Sequence, residues 1–207
     1  MDRLQLAVFA SGRGSNFSAI LDKIKQGALD ADVKLLVTNN KNAGAVKTAL
    51  VHKIPFVFIK RSMFNNRQDF VEKMLMILKE HRITFIALAG YMKKIPSEVI
   101  TEFKNKITNI HPALLPCFGG KGMYGHHVHE KVLESGCKVT GVTVHLVDDK
   151  YDHGPIVAQK CVEVKNDDTA KSLADSVLKV EHQIYSEVLQ FFAENRVVIQ
   201  GKVTKIR

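Results

Sequence analysis

Apolar runs alternate with helical patterns along the first half of the chain. Runs such as LQLAVFA and VKLLVT are rich in strand-forming residues, and each precedes a segment with the apolar spacing of a helix. Strands that alternate with helices of this length are typical of βαβ units, which have parallel strands and right-handed crossovers. We therefore predict strands at 4–10, 33–38, 56–59, 84–89 and 106–110, and helices at 15–26, 43–52 and 67–81.

The pattern changes in the second half. A predicted helix at 125–134 leads to the extended runs KVTGVTVHLV and IVAQKCVEV, which are joined by the polar loop DDKYDHGP. Two such runs with a short loop predict an antiparallel hairpin. A long helix is predicted at 169–193. The fold class is therefore α/β, with a Rossmann-like, mostly parallel sheet, an antiparallel C-terminal hairpin and a long C-terminal helix.

Composition restricts the class of protein. The 207 residues are 45% hydrophobic and 25% charged, with no repeat or linker, which is typical of one globular domain. Three distant cysteines without a CxxC pair argue against a disulfide framework or thiolate zinc site, and the short apolar N-terminal run is too short for a signal peptide or membrane span. We expect a cytoplasmic protein.

The net charge of +9 fits small polyanions or a solvated surface better than nucleic acid, because no arginine-rich run interleaved with aromatics is present.

A glycine-rich segment, SGRGSNF, follows the first predicted strand. Gly12 and Gly14 permit a tight turn, and the backbone amides of Ser15, Asn16 and Phe17 open the next helix as a potential anion site. The segment lacks the third glycine of a dinucleotide fingerprint and the Gly-Lys-Ser/Thr of a Walker loop. Two interpretations remain: a cradle for a single phosphate, or a glycine turn with Ser15 or Asn16 as the helix cap.

Three polar residues form a candidate catalytic group. Asn109 and His111 are two apart at the end of a predicted strand, so their side chains project to one face, and Asp152 lies in the DDKYDHGP loop. Loops at the carboxyl ends of strands gather in one crevice of an open α/β sheet, where we expect these residues and the glycine-rich segment to meet. An asparagine amide suits a developing oxyanion, and a carboxylate orients a histidine and favours its protonated form. Without an adjacent serine or cysteine, the group suggests direct transfer between two bound substrates. The alternative is that all three are unrelated turn residues.

The histidine-rich segment GHHVH gives no metal prediction. His126, His127 and His129 do not share one helix face well, and no carboxylate accompanies them at ligand spacing. We assign these histidines no role and expect no metal.

The segments SGRGSN, LAGYMKKI, NIHPALLP and GVTVHLVDDKYDHGPIV resemble those of the folate-dependent formyltransferases that act on glycinamide ribonucleotide, in order and nearly in spacing. The resemblance covers practically the whole chain. It implies one formyltransferase domain, 1–207, with a nucleotide-phosphate-binding half at about 1–105 and a catalytic, folate-binding half at about 106–207. It also implies transfer of the formyl group from the cosubstrate 10-formyltetrahydrofolate to the amine of glycinamide ribonucleotide in purine synthesis.

The resemblance also implies roles for particular residues. Asn109, His111 and Asp152 fall on the family's catalytic positions. Gly14, Ser15, Asn16 and Glu181 fall on positions that bind the ribonucleotide. The positions that line the folate site are Arg67, Met92, Lys93, Lys94, Ile95, Asn109, Asp148, Asp149, Lys150, Tyr151 and Asp152.

The chain departs from the family pattern at three places. Lys93 and Lys94 stand where an arginine and an apolar residue are more usual, and Leu146 replaces a common aromatic. The loop 117–129 is longer than in the shorter bacterial forms.

Other activities within the resemblance are less favoured. A formyltetrahydrofolate hydrolase usually has an N-terminal regulatory domain, and this chain starts at its first strand. A methionyl-tRNA formyltransferase needs a C-terminal nucleic-acid-binding domain, and we expect only a short tail, VVIQGKVTKIR, after the last predicted helix. A non-catalytic nucleotide-binding domain is the alternative from another class. We expect a monomer or homodimer that acts on small molecules, without nucleic acid or membrane.

Overall fold

The computed structural model describes residues 3–207 and contains two compact units, which divide between Thr108 and Asn109. Residues 1 and 2, which belong to the predicted domain, lie outside the described residues. The division falls near the predicted boundary of the two halves, at about 105.

The first unit contains a parallel sheet with helices between its strands. The strand order is β3-β2-β1-β4, and every pairing of neighbouring strands is parallel. Residues at the centre of the sheet, such as Leu6, Val8 and Leu36, are fully buried, as expected for strands covered on both faces. The strands are β1 (Leu4–Phe9), β2 (Ala31–Thr38), β3 (Phe56–Phe58) and β4 (Phe85–Leu88), and the helices are α1 (Ser15–Lys25), α2 (Gly44–Val51), α3 (Arg67–Glu80) and α4 (Ser97–Glu102).

The start of α3 follows from its capping residue. Asn66 has an extended backbone, and its side chain accepts a hydrogen bond from the Asp69 backbone N–H at 2.8 Å. This bond satisfies one of the amides that have no partner within the helix. The helix therefore begins at Arg67, as predicted.

The second unit contains an antiparallel hairpin, a long helix and a further small hairpin. Strand β5 (Ile107–His111) leads into it, followed by α5 (His126–Glu134), β6 (Val139–Leu146) and β7 (Ile156–Glu163). Strands β6 and β7 are antiparallel, as predicted. The long helix α6 (Ala170–Ala193) begins with a capping box between Thr169 and Ser172. Strands β8 (Val197–Gln200) and β9 (Val203–Ile206) form the last hairpin, and β9 runs parallel to β7, giving the order β6-β7-β9-β8.

One hydroxyl group fixes the loop that follows β5. Thr143, on β6, donates a hydrogen bond to the carbonyl of Ala113 at 2.7 Å and accepts one from the backbone N–H of Leu115 at 3.0 Å. Gln159, on β7, donates to both the Leu115 carbonyl and the Thr143 hydroxyl, each at 2.9 Å. The loop from Ala113 to Leu115 is therefore held against the β6–β7 hairpin.

The predicted fold class is confirmed, with two omissions. The β8–β9 hairpin occupies the segment that was expected to be a short tail, and α4 was not predicted. These elements are too short for periodicity to identify them. None of the helices within residues 3–207 is long and apolar enough to span a membrane.

Candidate active site

Asn109, His111 and Asp152 lie together in the second unit. Asn109 and His111 come from the end of β5, and Asp152 comes from the loop between β6 and β7. The Asn109 amide nitrogen is 3.4 Å from Asp152 Oδ1, and His111 Nδ1 is 3.6 Å from Asp152 Oδ2. The structure thus brings together the three residues that the sequence suggested as a catalytic group.

His111 is buried, and its partners determine its tautomer. Its Nε2 lies 2.8 Å from the carbonyl oxygen of Phe118, which can only accept, so Nε2 carries a proton. Burial lowers the pKa of His111, and this effect outweighs the opposing attraction of the Asp152 carboxylate. The resting imidazole is therefore neutral, with the lone pair of Nδ1 facing Asp152. The Asp152 carboxylate favours the protonated histidine, as expected, but burial lowers the pKa of His111 by more than this neighbour raises it.

His145 is a member of this cluster that the sequence interpretation missed. It lies on β6 and is 2% exposed. Its Nδ1 is 2.8 Å from the carbonyl of Leu146 and its Nε2 is 3.1 Å from the amide nitrogen of Asn109. Assigned from these partners, Nδ1 donates to the Leu146 carbonyl and Nε2 accepts from the Asn109 amide. The sequence signal that could have identified His145 is a histidine in an otherwise apolar and threonine-rich strand.

The position of Asp152 depends on a left-handed backbone and on several polar contacts. Its φ is 51°, a conformation that few side chains adopt without support. Asp152 Oδ2 accepts a hydrogen bond from the Gly120 backbone N–H at 2.9 Å, and Oδ1 lies 3.6 Å from His145 Nε2. Burial acts to raise the pKa of Asp152, but the contacts with His145, His111 and Gly120 together keep it below its usual value. Asp152 is therefore a carboxylate in the resting site.

The loop before Asp152 is closed by a second aspartate. Asp148 Oδ1 accepts from the Lys150 backbone N–H at 2.9 Å, and Oδ2 accepts from His153 Nδ1 at 2.7 Å. Lys150 and Tyr151 are exposed at the tip of the loop, as is Asp149. The predicted folate-binding segment from Asp148 to Asp152 thus has a fixed base and an accessible tip.

The glycine-rich segment lies in the first unit and ends in α1. Gly14 is the N-cap residue with φ 81°, and the helix has no side-chain cap, so the interpretation of Ser15 or Asn16 as its cap is wrong. The helical hydrogen-bond ladder begins with the Ser18 N–H, which donates to the Gly14 carbonyl at 2.9 Å. The first-turn amides precede this ladder and point out of the helix end, which is the arrangement that favours an anion.

Ser11 connects this segment to the residues after β4. Its hydroxyl oxygen accepts from the Met92 backbone N–H at 2.9 Å and lies 2.6 Å from Asn39 Oδ1, to which it donates. Met92 is exposed, as are Lys93 and Lys94, whereas the side chain of Ile95 is buried. The segment predicted to bind folate therefore presents three accessible side chains beside the glycine-rich loop.

The remaining predicted residues have partners or buried positions. Arg67 forms a double hydrogen bond with Glu98, of which the Nη2–Oε2 contact measures 2.7 Å. Glu181 is buried on α6 in the second unit. The residues predicted to bind the ribonucleotide and the folate are thus divided between the two units.

The histidines of α5 differ in environment. His126 and His127 are exposed, whereas His129 is buried, and its Nδ1 has no hydrogen-bond partner within the described structure. Burial, assisted by the neighbouring His126 and His111, lowers the pKa of His129 to about 4. Among residues 3–207, no group of three or more histidine, cysteine, aspartate or glutamate side chains is arranged to hold a metal ion.

The chain belongs to the formyl transferase family. The family model matches residues 4–189, which include β1 through most of α6 and every residue of the candidate site. The resemblance inferred from the sequence segments is confirmed at this level.

Particular relatives agree with this assignment. The chloroplastic phosphoribosylglycinamide formyltransferase of Vigna unguiculata is 44% identical over 196 residues, covering 95% of this chain and 63% of the relative. The phosphoribosylglycinamide formyltransferase of Bacillus subtilis is 38% identical over 90% of this chain and 93% of its own length. The chain thus spans somewhat less than two thirds of the plant relative and nearly all of the bacterial one.

Solved structures give the same result for the fold. The crystal structure of glycinamide ribonucleotide transformylase 1 from Symbiobacterium toebii has a TM-score of 0.92 and 33% identity, covering 99% of this chain and 94% of that one. The fold class inferred from the sequence is therefore that of a known transformylase.

Proposed function

We propose that this protein transfers the formyl group of 10-formyltetrahydrofolate to the amine of glycinamide ribonucleotide. The observation that carries the proposal is the contact of Asn109, His111 and Asp152, in a chain that belongs to the formyl transferase family. The relatives named for this activity support the choice of substrates. The positive net charge of +9 suits a phosphate and a folate carboxylate tail.

The proposed reaction forms one carbon–nitrogen bond and breaks another. The glycinamide amine attacks the formyl carbon, and the bond from that carbon to N10 of the folate then breaks. One proton leaves the attacking amine, and one is delivered to N10, so the reaction needs no further reactant. Bringing the two substrates together supplies a large part of the acceleration.

Asn109 acts on the charge that develops at the formyl oxygen. Its amide is a neutral donor whose orientation is fixed by the bond of one N–H to His145. The other N–H makes only a long contact with Asp152 Oδ1, at 3.4 Å, and is the one available to the formyl oxygen. A donor that needs no reorientation stabilises the tetrahedral oxyanion more than it stabilises the planar formyl group. Asn109 therefore lowers the barrier rather than strengthening ground-state binding.

We assign the transfer of the proton to His111 and Asp152. Because resting His111 is neutral, Nδ1 can accept a proton as the amine becomes positive on attack. Asp152, 3.6 Å from this nitrogen, then stabilises the imidazolium. The protonated ring contributes charge near the oxyanion, and the proton passes to N10 as the intermediate collapses.

The resemblance supplies the remaining roles. Gly14, Ser15 and Asn16 would bind the ribonucleotide phosphate through the amides at the start of α1, and Glu181 would bind its ribose hydroxyls. Arg67, Met92, Lys93, Lys94 and Ile95, with the loop from Asp148 to Tyr151, would bind the folate. We propose a monomer or homodimer that works without nucleic acid.

The test follows the loss of formyl from 10-formyltetrahydrofolate by absorbance, with and without glycinamide ribonucleotide. We expect loss only when the ribonucleotide is present. Loss in its absence would identify a hydrolase, and no loss in either case would refute the proposal. His111→Ala and Asp152→Ala should each lower turnover heavily with a modest effect on substrate binding, and near-normal turnover in either variant would refute the assigned roles.

A further inference from the structure

The C-terminal hairpin contacts the loop that carries Asp152. Strands β8 and β9 lie beyond residue 189, where the family match ends, and Lys202 lies in the turn between them. Lys202 Nζ is 3.0 Å from His153 Nε2. An ammonium group can only donate, so Nε2 accepts and the ring proton is on Nδ1. That proton is donated to Asp148 Oδ2 at 2.7 Å.

These contacts form a chain of hydrogen bonds from the hairpin to the base of the loop. Lys202 donates to His153, and His153 donates to Asp148. Asp148 in turn accepts from the Lys150 N–H at 2.9 Å. The chain therefore ends in the segment predicted to bind folate.

The hairpin is also anchored where this loop rejoins β7. The Thr204 hydroxyl donates to the carbonyl of Ile156 at 2.7 Å, and Val203 pairs with Ile156 in the parallel ladder. The turn that carries Lys202 is consequently fixed relative to β7. Lys202 therefore contacts His153 from a hairpin whose position is fixed.

The loop has a reason to need external support. Asp152 holds a left-handed backbone with φ 51°, which costs free energy unless the surroundings enforce it. At Gly154, an added Cβ would overlap the Leu146 carbonyl, so the chain passes directly against β6 at this point. Asp152 is thus placed between a rigid contact at Gly154 and the loop base at Asp148.

We propose that Lys202 and His153 are positioning residues that hold the Asp148–Asp152 segment in its substrate-binding conformation. The inference rests on the proposed function, because it assigns the segment to folate and Asp152 to proton transfer. The side chains of His153 and Asp148 are 39% and 36% exposed, so this pair contributes little to global stability. Its effect is on the position of the loop.

The experiment compares Lys202→Met with Lys205→Met. Lys205 is exposed on β9 of the same hairpin, so its substitution is the matched change of charge. Lys202→Met should raise KM for 10-formyltetrahydrofolate by roughly 3- to 10-fold, the range for one lost hydrogen bond. KM for the ribonucleotide and the melting temperature should stay at their wild-type values. Lys205→Met should leave all these quantities unchanged.

Variants of His153 test the series of hydrogen bonds from Lys202 through His153 to Asp148. His153→Gln keeps an acceptor for Lys202 and a donor for Asp148 and should retain most of the wild-type KM for the folate. His153→Leu should resemble Lys202→Met. The double variant His153→Leu/Lys202→Met should be no worse than either single variant, because both break the same chain.

Two outcomes would overturn the proposal. One is a wild-type KM for the folate in Lys202→Met. The other is an equal change in both KM values and in melting temperature, which would indicate general structural damage.

A measurement of hydrogen exchange separates this proposal from the proposed function. The Lys150 amide, which is bonded to Asp148, should exchange faster in Lys202→Met than in Lys205→Met. A wild-type protein that does not transfer formyl would refute the function, whereas unchanged exchange at this amide would refute the positioning role.

Discussion

The amide of Asn109 and the imidazole of His145 determine each other's orientation. Asn109 Nδ2 donates to His145 Nε2 at 3.1 Å, and His145 can accept there because its own proton is donated to the Leu146 carbonyl at 2.8 Å. Since the carbonyl can only accept, the donor and the acceptor of both hydrogen bonds are fixed. A strand backbone thus sets the orientation of the amide that we propose as the donor to the formyl oxygen.

Replacing Asn109 with alanine should reduce the rate and leave folate binding nearly intact. In the proposed mechanism the amide acts on charge that exists only in the transition state, and removing one such donor costs on the order of 100-fold in kcat. Steady-state kinetics at saturating substrates and a separate measurement of the folate Kd check this. A large loss of affinity with an unchanged kcat would place Asn109 in ground-state binding.

Replacing His145 with phenylalanine should destabilise the protein and slow the reaction. The ring volume is largely kept, but the Leu146 carbonyl and the Asn109 amide lose their partners within the protein. A buried group left without its partner costs about 1–3 kcal/mol in the free energy of unfolding. Urea denaturation measures this. An unfolding free energy equal to that of the wild type would show that water replaces both contacts.

The buried His129 should make stability depend on pH. Its pKa falls from 6.5 to about 4 in the folded protein, so the unfolded chain binds the proton more readily between these values. The free energy of unfolding should therefore fall as pH decreases from 6.5 to 4, by about 3 kcal/mol at about 1.4 kcal/mol per pH unit.

Denaturation of variants over this pH range isolates the contribution of His129. His129→Gln should show a shallower dependence, and His127→Gln, at an exposed position of the same helix, should keep the wild-type slope. The lowered pKa of His111 acts in the same direction, so some dependence will remain in His129→Gln. Identical slopes in all three proteins would contradict the assignment.

Substitution of the two loop glycines should have unequal effects. Gly14 has φ 81°, and an added Cβ would lie 2.7 Å from the Ala45 Cα, so Gly14→Ala combines backbone strain with overpacking. We expect a loss of about 2–4 kcal/mol in the free energy of unfolding. At Gly12 an added Cβ meets nothing within 4 Å, so Gly12→Ala is the matched control.

Denaturation and ribonucleotide kinetics of both glycine variants provide the measurement. Gly14→Ala should also raise KM for the ribonucleotide, because the first turn of α1 would shift. Equal stabilities of the two variants would show that the segment adapts to the added methyl group.

The sequence predicted the parts of the site that depend on local periodicity. Asn109 and His111 project together because strand residues two apart share a face, and Asp152 reaches them because its loop joins two adjacent strands. His145 was missed because its role depends on a partner 36 residues away. The sequence did not predict that burial would lower the pKa of His111, because the burial of a side chain depends on tertiary packing, which the local pattern does not specify.

Short elements account for the errors in the fold. The β8 and β9 strands have four residues each, and their pairing with each other and with β7 stabilises them more than intrinsic preference does. Because these residues were predicted to be a tail, the contact between the β8–β9 hairpin and His153 was not predicted.

The Thr143 hydroxyl limits where this protein can tolerate a change in loop length. Its bonds to Ala113 and Leu115 fix the polypeptide directly after β5, so an insertion there would break them and displace His111. The Phe118 carbonyl and the Gly120 N–H also contact His111 and Asp152, so the restraint ends only after Gly120, shortly before α5 begins at His126. We therefore expect that residues can be inserted between Gly120 and α5, whereas the segment from Ala113 to Gly120 must keep its length.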